Sequence, residues 1–219
     1  LPTLWGSPYL NKAPGLHWLI ALAIRINASF RPVGELPNEF VLRLVPAFLS
    51  TFIVPIGGLI QWYLRPKDRT ASLITSGILL TLLPIIRHGR LAMLDGTLLS
   101  LMGLFWLVII SSEISRKSPW KAGIAGLTCS GILLLKAPLI IPTILAALIP
   151  ISLGKNLKYW LHWKTTLLIS LGLLPGVSWH AFHYLNRGID ALWLWGGDGA
   201  GRVLFSAGEG SDLGWRVPV

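Results

Sequence analysis

The stretch "RHGRLAMLDG", residues 87–96, sets Arg87, His88, Arg90 and Asp95 between two apolar runs. Such groups are costly at membrane depth, and ionisable residues found there mark substrate or ion pathways by default. A carboxylate flanked by cations stays anionic, which suits metal binding, electrostatic support or acceptance of a substrate hydrogen bond and does not suit a general acid. The plain alternative is a loop salt bridge between Asp95 and Arg90. Two more segments carry isolated cations in the same kind of setting. "YLNKAPGLHW" (9–18) holds Asn11 and Lys12, and "LLLKAPLIIP" (133–142) holds Lys136. Both contain the triplet Lys-Ala-Pro, at 12–14 and 136–138. Proline fixes the backbone and removes a donor, so each triplet suits the break between a loop and the helix it feeds. A lysine at such a break meets a phosphate at the membrane surface; the competing reading is two unrelated lysines snorkelling to headgroups.

These residues need elements to hold them. The chain of 219 residues is 53% hydrophobic and 13% charged, well below the charge content of soluble globular domains, and it reads as an all-α polytopic membrane protein. A bilayer core about 30 Å thick takes roughly 20 apolar residues per helix. Spans are expected at about 42–64, 70–87, 96–112, 120–136, 138–153 and 165–184, about six in all. The earlier stretch "GLHWLIALAIRINASF" carries His17, Arg25 and Asn27 and is expected as a helix lying in the interface, its arginine snorkelling. This divides the chain into an outer-face loop with an interfacial helix (1–40), a transmembrane helical domain (41–184) and an outer glycine-rich loop (185–219) that opens a further, truncated region. The amino end has neither Met nor a signal-peptide pattern, and the carboxyl end lacks a polar tail. The chain is therefore expected to be an internal piece of a longer protein.

Charge gives the orientation. "RPKDR" (65–69), "SEISRKSPWK" (112–121) and "GKNLKYWLHWK" (154–164) each hold three Lys or Arg, the mark of cytoplasmic loops. Asp95, Arg90, Lys12 and Lys136 then lie on the opposite, outer face, where the positive-inside rule does not explain the cations. The net charge of +10 is scattered in short clusters rather than gathered on one soluble face, which argues against nucleic acid and for anionic lipid or phosphate.

Other candidates are weaker. His180 and His183 are three apart on one helix face and, with His17, raise a metal site, but the HExxH pattern is absent and interfacial packing is the simpler reading. The lone Cys129 excludes an intramolecular disulfide or thiolate cluster. The tail "WLWGGDGAGRVLFSAGEGSDLGW" lacks the strand and helix that a nucleotide-binding glycine signature needs. It reads as a loop from which Arg202 reaches a phosphate.

The order aromatic-Leu-Asn-Lys-x-Pro-x-Leu-His-Trp, then Arg43-Leu-Val-Pro46-Ala47, then Arg90-Leu-Ala-Met-Leu-Asp95, then Leu135-Lys136-Ala-Pro138 resembles the membrane glycosyltransferases of the C superfamily. The nearest group is the dolichyl-phosphate-mannose-protein mannosyltransferase-like family, which includes bacterial aminoarabinose transferases of lipid A modification as well as enzymes of protein glycosylation. The resemblance covers nearly the whole chain, as an amino-terminal portion of the family's usual length. It implies transfer of a hexosyl or pentosyl group from a polyprenyl-phosphate carrier to a lipid, glycan or protein acceptor, on the outer face of a membrane such as the bacterial inner membrane. By that similarity Asn11 and Lys12 occupy a carrier-phosphate motif, Asp95 matches the acidic residue of the second outer loop, Lys136 the lysine of the third, and Arg202 a phosphate-holding arginine. The family's first-loop acidic base is expected upstream of Leu1. Position 11 is Asn where some relatives have a metal-binding Glu, so a divalent cation is left open as cofactor. Glu209 and Asp212 stand where a histidine is expected. Physically, cations at span ends stabilise charge developing on a departing phosphate, while a carboxylate orients or deprotonates the acceptor. The alternatives are a transporter or flippase of a phosphate-bearing lipid, or an inactive structural membrane subunit; no convincing pair of repeated halves favours the first.

Overall fold

The structure, a computed structural model, describes residues 3–4, 7–8, 13–30, 37–90, 93–114, 118–154, 156–192 and 195. Among these the chain is helical apart from a two-residue antiparallel pairing of β1 (Thr3–Leu4) with β2 (Ser7–Pro8). The helices are α1 (Gly15–Ala28), α2 (Glu39–Thr51), α3 (Ile53–Leu64), α4 (Arg69–Thr81), α5 (Leu83–Arg90), α6 (Leu94–Ile114), α7 (Pro119–Lys136), α8 (Ile140–Leu153), α9 (Leu157–Trp160) and α10 (Trp163–Arg187). One 3-10 turn, Ala137–Leu139, joins α7 to α8, and another, Gly188–Leu192, follows α10. The expected all-α polytopic bundle is the observed fold.

Four helical stretches among the described residues are long and apolar enough to cross a bilayer: Glu39–Leu64, Leu94–Ile114, Pro119–Leu153 and Trp163–Arg187. The third is not a single rod. Lys121 near its start donates to the Ser111 carbonyl at 3.0 Å, and Asn156 just past its end donates to Glu113 Oε2 at 2.8 Å. Both ends therefore meet the same end of α6, and the stretch turns back at the Lys136–Leu139 bend, giving the separate expected spans 120–136 and 138–153. Pro138 supplies the cause, since its ring collides with the carbonyl four residues back and ends α7. The expected span at 70–87 differs: it is divided into α4 and α5 at Leu82, whose backbone is extended (ψ 113°), and it is not among the four. Pro84 accounts for the break in the same way, through the carbonyl of Leu80.

Inter-helix contacts fix the directions. Leu101 packs on Gly131 and Ser111 on Lys121, so α6 and α7 run antiparallel. Ser72 Oγ donates to the Gly58 carbonyl at 2.6 Å and Ser76 Oγ to that of Val54 at 3.2 Å, which makes α3 and α4 antiparallel. Ser100 Oγ donates to the Ser50 carbonyl at 3.1 Å, and Gly103 meets Ile53 and Ile56, so α2 and α3 run parallel to α6. The three expected basic loops consequently gather at one end of the bundle, and Asp95 and Lys136 stand at the other.

The tightest pair is α7 with α10. A Cβ on Gly126 would collide with the Ile169 backbone, and one on Gly172 would lie 2.5 Å from the Gly123 carbonyl oxygen. Gly176, next to the helix-interior Pro175, donates its N–H to Ser130 Oγ at 2.7 Å. These contacts rise together along both chains, so α7 and α10 are parallel and in backbone contact. At the basic-loop end a polar knot closes the bundle. Glu113 accepts from Trp160 Nε1 at 2.6 Å and from Asn156, and Tyr159 donates its hydroxyl to the Ser118 carbonyl at 3.0 Å. Burial, and then the negative charge of Glu113, push the Tyr159 phenol above its ordinary value.

Three outcomes are expected. Gly126→Leu or Gly172→Leu should lower the thermal stability of the detergent-solubilised protein by at least about 1–3 kcal/mol, the usual cost of overpacking. Gly77→Ala in α4, where an added Cβ meets nothing within 4 Å, should be neutral or slightly stabilising. Because the folded Tyr159 phenol titrates above the unfolded one, its contribution is intact below about pH 10 and lost as pH rises beyond. A thermal midpoint followed from pH 8 to 11 should fall less steeply in Tyr159→Phe than in the native protein.

Candidate functional site

The end of the bundle opposite the basic loops is built by two proline-punctuated turns. In the first, Pro14 starts α1, with Ala13 and Pro14 both buried. In the second, Pro138 breaks α7 from α8 just beyond Lys136. The two come together, because a Cβ on Gly15 would lie 2.7 Å from the carbonyl oxygen of Leu134. Only a glycine lets α1 lie this close to α7. Leu16 and Ala137, one from each turn, share the hydrophobic core with Leu98 and Leu135. The Ala13–Pro14 and Ala137–Pro138 turns, far apart in sequence, are thus neighbours in space.

The segment containing Asp95 joins them through register. Leu101 faces Gly131, and the antiparallel pairing continued six residues brings Asp95 level with the Lys136–Ala137 turn. Asp95 is exposed in the first turn of α6, where the helix dipole favours an anion, and Lys136 is half-buried at the last residue of α7, where it favours a cation. Neither side chain has a hydrogen bond or ion pair among the described residues, where the Arg43–Glu39 pair of α2 is the only salt bridge. Arg90 closes α5, with its side chain outside the described atoms. Asn11, Lys12, Arg202, Glu209 and Asp212 lie outside the described residues.

Sequence reasoning passed over Thr97. It is 3% exposed, one turn into α6 just past Asp95, and its hydroxyl has no partner. Thr128 and Thr143 satisfy theirs by bonding the carbonyl four residues back, at 3.0 and 2.6 Å. The equivalent residue for Thr97 is Met93, which precedes the helix. A threonine in an apolar run gives no sign of that difference until the helix start is known. Of the histidines weighed as metal ligands, His180 donates its Nε2 to the Leu133 carbonyl at 3.1 Å, and His183 stacks on Trp179 with its own Nε2 buried and without a hydrogen-bond partner. Among the described residues no group of three or more His, Cys, Asp or Glu could hold a metal ion.

The arrangement can bind an anionic group at the membrane surface, with Lys136 as the cation, Asp95 as a hydrogen-bond acceptor beside it and apolar helix surface below. In comparison with known proteins, the model of the family described as dolichyl-phosphate-mannose-protein mannosyltransferase matches residues 24–189. No curated protein and no solved structure matches the chain.

The shared level of Asp95 and Lys136 is open to chemical test. In a Cys129→Ala background, Asp95→Cys and Lys136→Cys should react with a membrane-impermeant maleimide from the same side of sealed vesicles. Leu161→Cys, 70% exposed next to α9, should react only from the opposite side.

Proposed function

The chain belongs to the dolichyl-phosphate-mannose-protein mannosyltransferase family, a family of membrane glycosyltransferases, and from that premise we propose that it moves a sugar from a polyprenyl-phosphate carrier to an acceptor hydroxyl at the Lys136 end of the bundle. The observation that carries the reading is the meeting of Lys136 and Asp95 at one level, each without an ionic or hydrogen-bonding partner among the described residues. In the reaction the acceptor oxygen forms a bond to the anomeric carbon while the bond from that carbon to the phosphate oxygen breaks. The electron pair leaves with the polyprenyl phosphate, and the hydroxyl proton passes to a general base.

Lys136 meets the charge that grows on the leaving phosphate, a task that works best where the cation is fixed beforehand and water is scarce. The end of a helix locked by Pro138 provides that fixation. Asp95 accepts a hydrogen bond from a hydroxyl of the sugar or acceptor and orients it. Arg90 at the end of α5 is a second cation for the phosphate, and Lys12 and Asn11, two residues and fewer before the buried Ala13–Pro14 turn, add to the same head-group site. Arg202 is assigned a phosphate contact on the family resemblance alone. The polyprenyl tail lies along the apolar helix surface, and the head group sits at the interface. The outer side of the membrane is favoured because the basic loops gather at the other end.

The test is transfer from a polyprenyl-phosphate sugar by the full-length protein in proteoliposomes. Lys136→Ala should lower kcat/KM by about 10²- to 10³-fold, the range for removing one fixed transition-state donor, and Asp95→Asn by about 10²-fold or more. Transfer unaffected in both variants would remove the site assignment.

A further inference from the structure

The end of α10 holds a cluster of rings that the phosphate site does not use. Trp179 stacks on His183 with centroids 4.8 Å apart and planes 15° apart, and meets His180 edge-on at 4.9 Å. Trp18 of α1 adds an edge contact to Trp179 at 6.5 Å, and Trp195 one to His180 at 5.5 Å. Three tryptophans and two histidines thus form one wall joining α1, α10 and the segment after it. Trp18 is 47% exposed at its rim.

The wall stands at the level of Lys136. His180 is bonded to Leu133, and α7 and α10 run parallel, so one further turn on both helices sets His183 level with Lys136. His183 is 4% exposed, yet its Nε2 is buried without a hydrogen-bond partner. A membrane-interface tryptophan belt explains exposed indoles. It does not explain a buried, stacked imidazole left with an unused polar atom, which is costly and rarely kept without use.

We propose that this wall recognises the sugar ring of the donor, with His183 Nε2 as the hydrogen-bonding partner of one ring hydroxyl and the Trp18–Trp179 pair as the surface for its apolar face. A pyranose offers one face of C–H groups and a periphery of hydroxyls. A site for it therefore needs flat aromatic surface together with a few fixed polar atoms, and both are present here. The cation for the phosphate and the wall for the sugar lie at one level of the bundle, as the two joined groups of a sugar phosphate require. His183 is on this assignment a specificity-determining residue, and the inference rests on the transferase reading above.

The test compares two carriers on one protein. Full-length protein in nanodiscs is titrated with polyprenyl-phosphate mannose and with bare polyprenyl phosphate. His183→Phe keeps the ring stacked on Trp179 and removes its nitrogens. It should weaken binding of the mannosyl carrier about tenfold, the equivalent of one hydrogen bond of about 1.4 kcal/mol, and leave the bare carrier unchanged. Should His183→Phe not fold, Trp18→Ala at the exposed rim carries the same comparison. Equal weakening of both carriers, as a merely structural role would give, or no weakening of either, overturns the proposal. A wild type that binds neither carrier overturns the transferase reading as well, and is told apart by that result alone.

Discussion

The close approach of α7 and α10 governs how the rest of the bundle is arranged. Lipid tails are as apolar as leucine, so helices in a bilayer gain little from hydrophobic burial against one another and associate where small residues let backbones touch. Gly126 and Ser130 on one helix and Gly172 and Gly176 on the other meet this condition. Because the pair is parallel, the chain between them must return across the bundle, and α8 is that return. Its reversal at Lys136 is thus a topological requirement, which Pro138 meets locally. The glycine contact also sets the levels along α10. Placing Gly176 on Ser130 brings His180 to the Leu133 carbonyl and His183 to the height of Lys136.

At the opposite end the same logic operates with polar groups. Glu113 is partly buried and would be costly alone, but it accepts hydrogen bonds from Trp160 and Asn156 and so ties the connection between α8 and α10 to the end of α6. Buried Lys121 closes α6 on α7 through a main-chain carbonyl rather than a carboxylate. Polar groups here hold elements together, each with a named partner. Asp95, Lys136 and Thr97 at the other end have none among the described residues, and the proposed ligand site rests on this contrast.

Hydropathy made most of this architecture legible, because span length is a property of the bilayer. Five expected spans correspond to α2 with α3, α6, α7, α8 and α10, and the interfacial stretch to α1. The division at Leu82 was written in Pro84, but an average over a window of residues hides a single proline. Pairing was not legible. Nothing local to Gly126 says that its neighbour is Ile169, forty-three positions on, and the parallel direction of α7 and α10 follows from contacts alone. For the site, Asp95 and Lys136 stood out through cost, as charges without a topogenic reason. Thr97 did not, since a threonine in an apolar run is ordinary until its hydrogen bonds are counted, and His183 stood out only as a possible metal ligand.

The separation of Asp95 from Lys136 as charges bears on what the site is for. Opposite charges at one level of a bundle attract, more so the further they are withdrawn from water, and could close into a pair. Here each is held at the helix end whose dipole suits it, and neither contacts the other. Helix dipoles contribute only about 0.3–1 kcal/mol at such positions, too little to replace a buried ion pair but enough to keep each charge in place. A cation and an anion kept apart at fixed positions can address two different parts of one ligand. The proposed ligand, a sugar phosphate, has such a pair of parts, an anion for Lys136 and hydroxyl donors for Asp95.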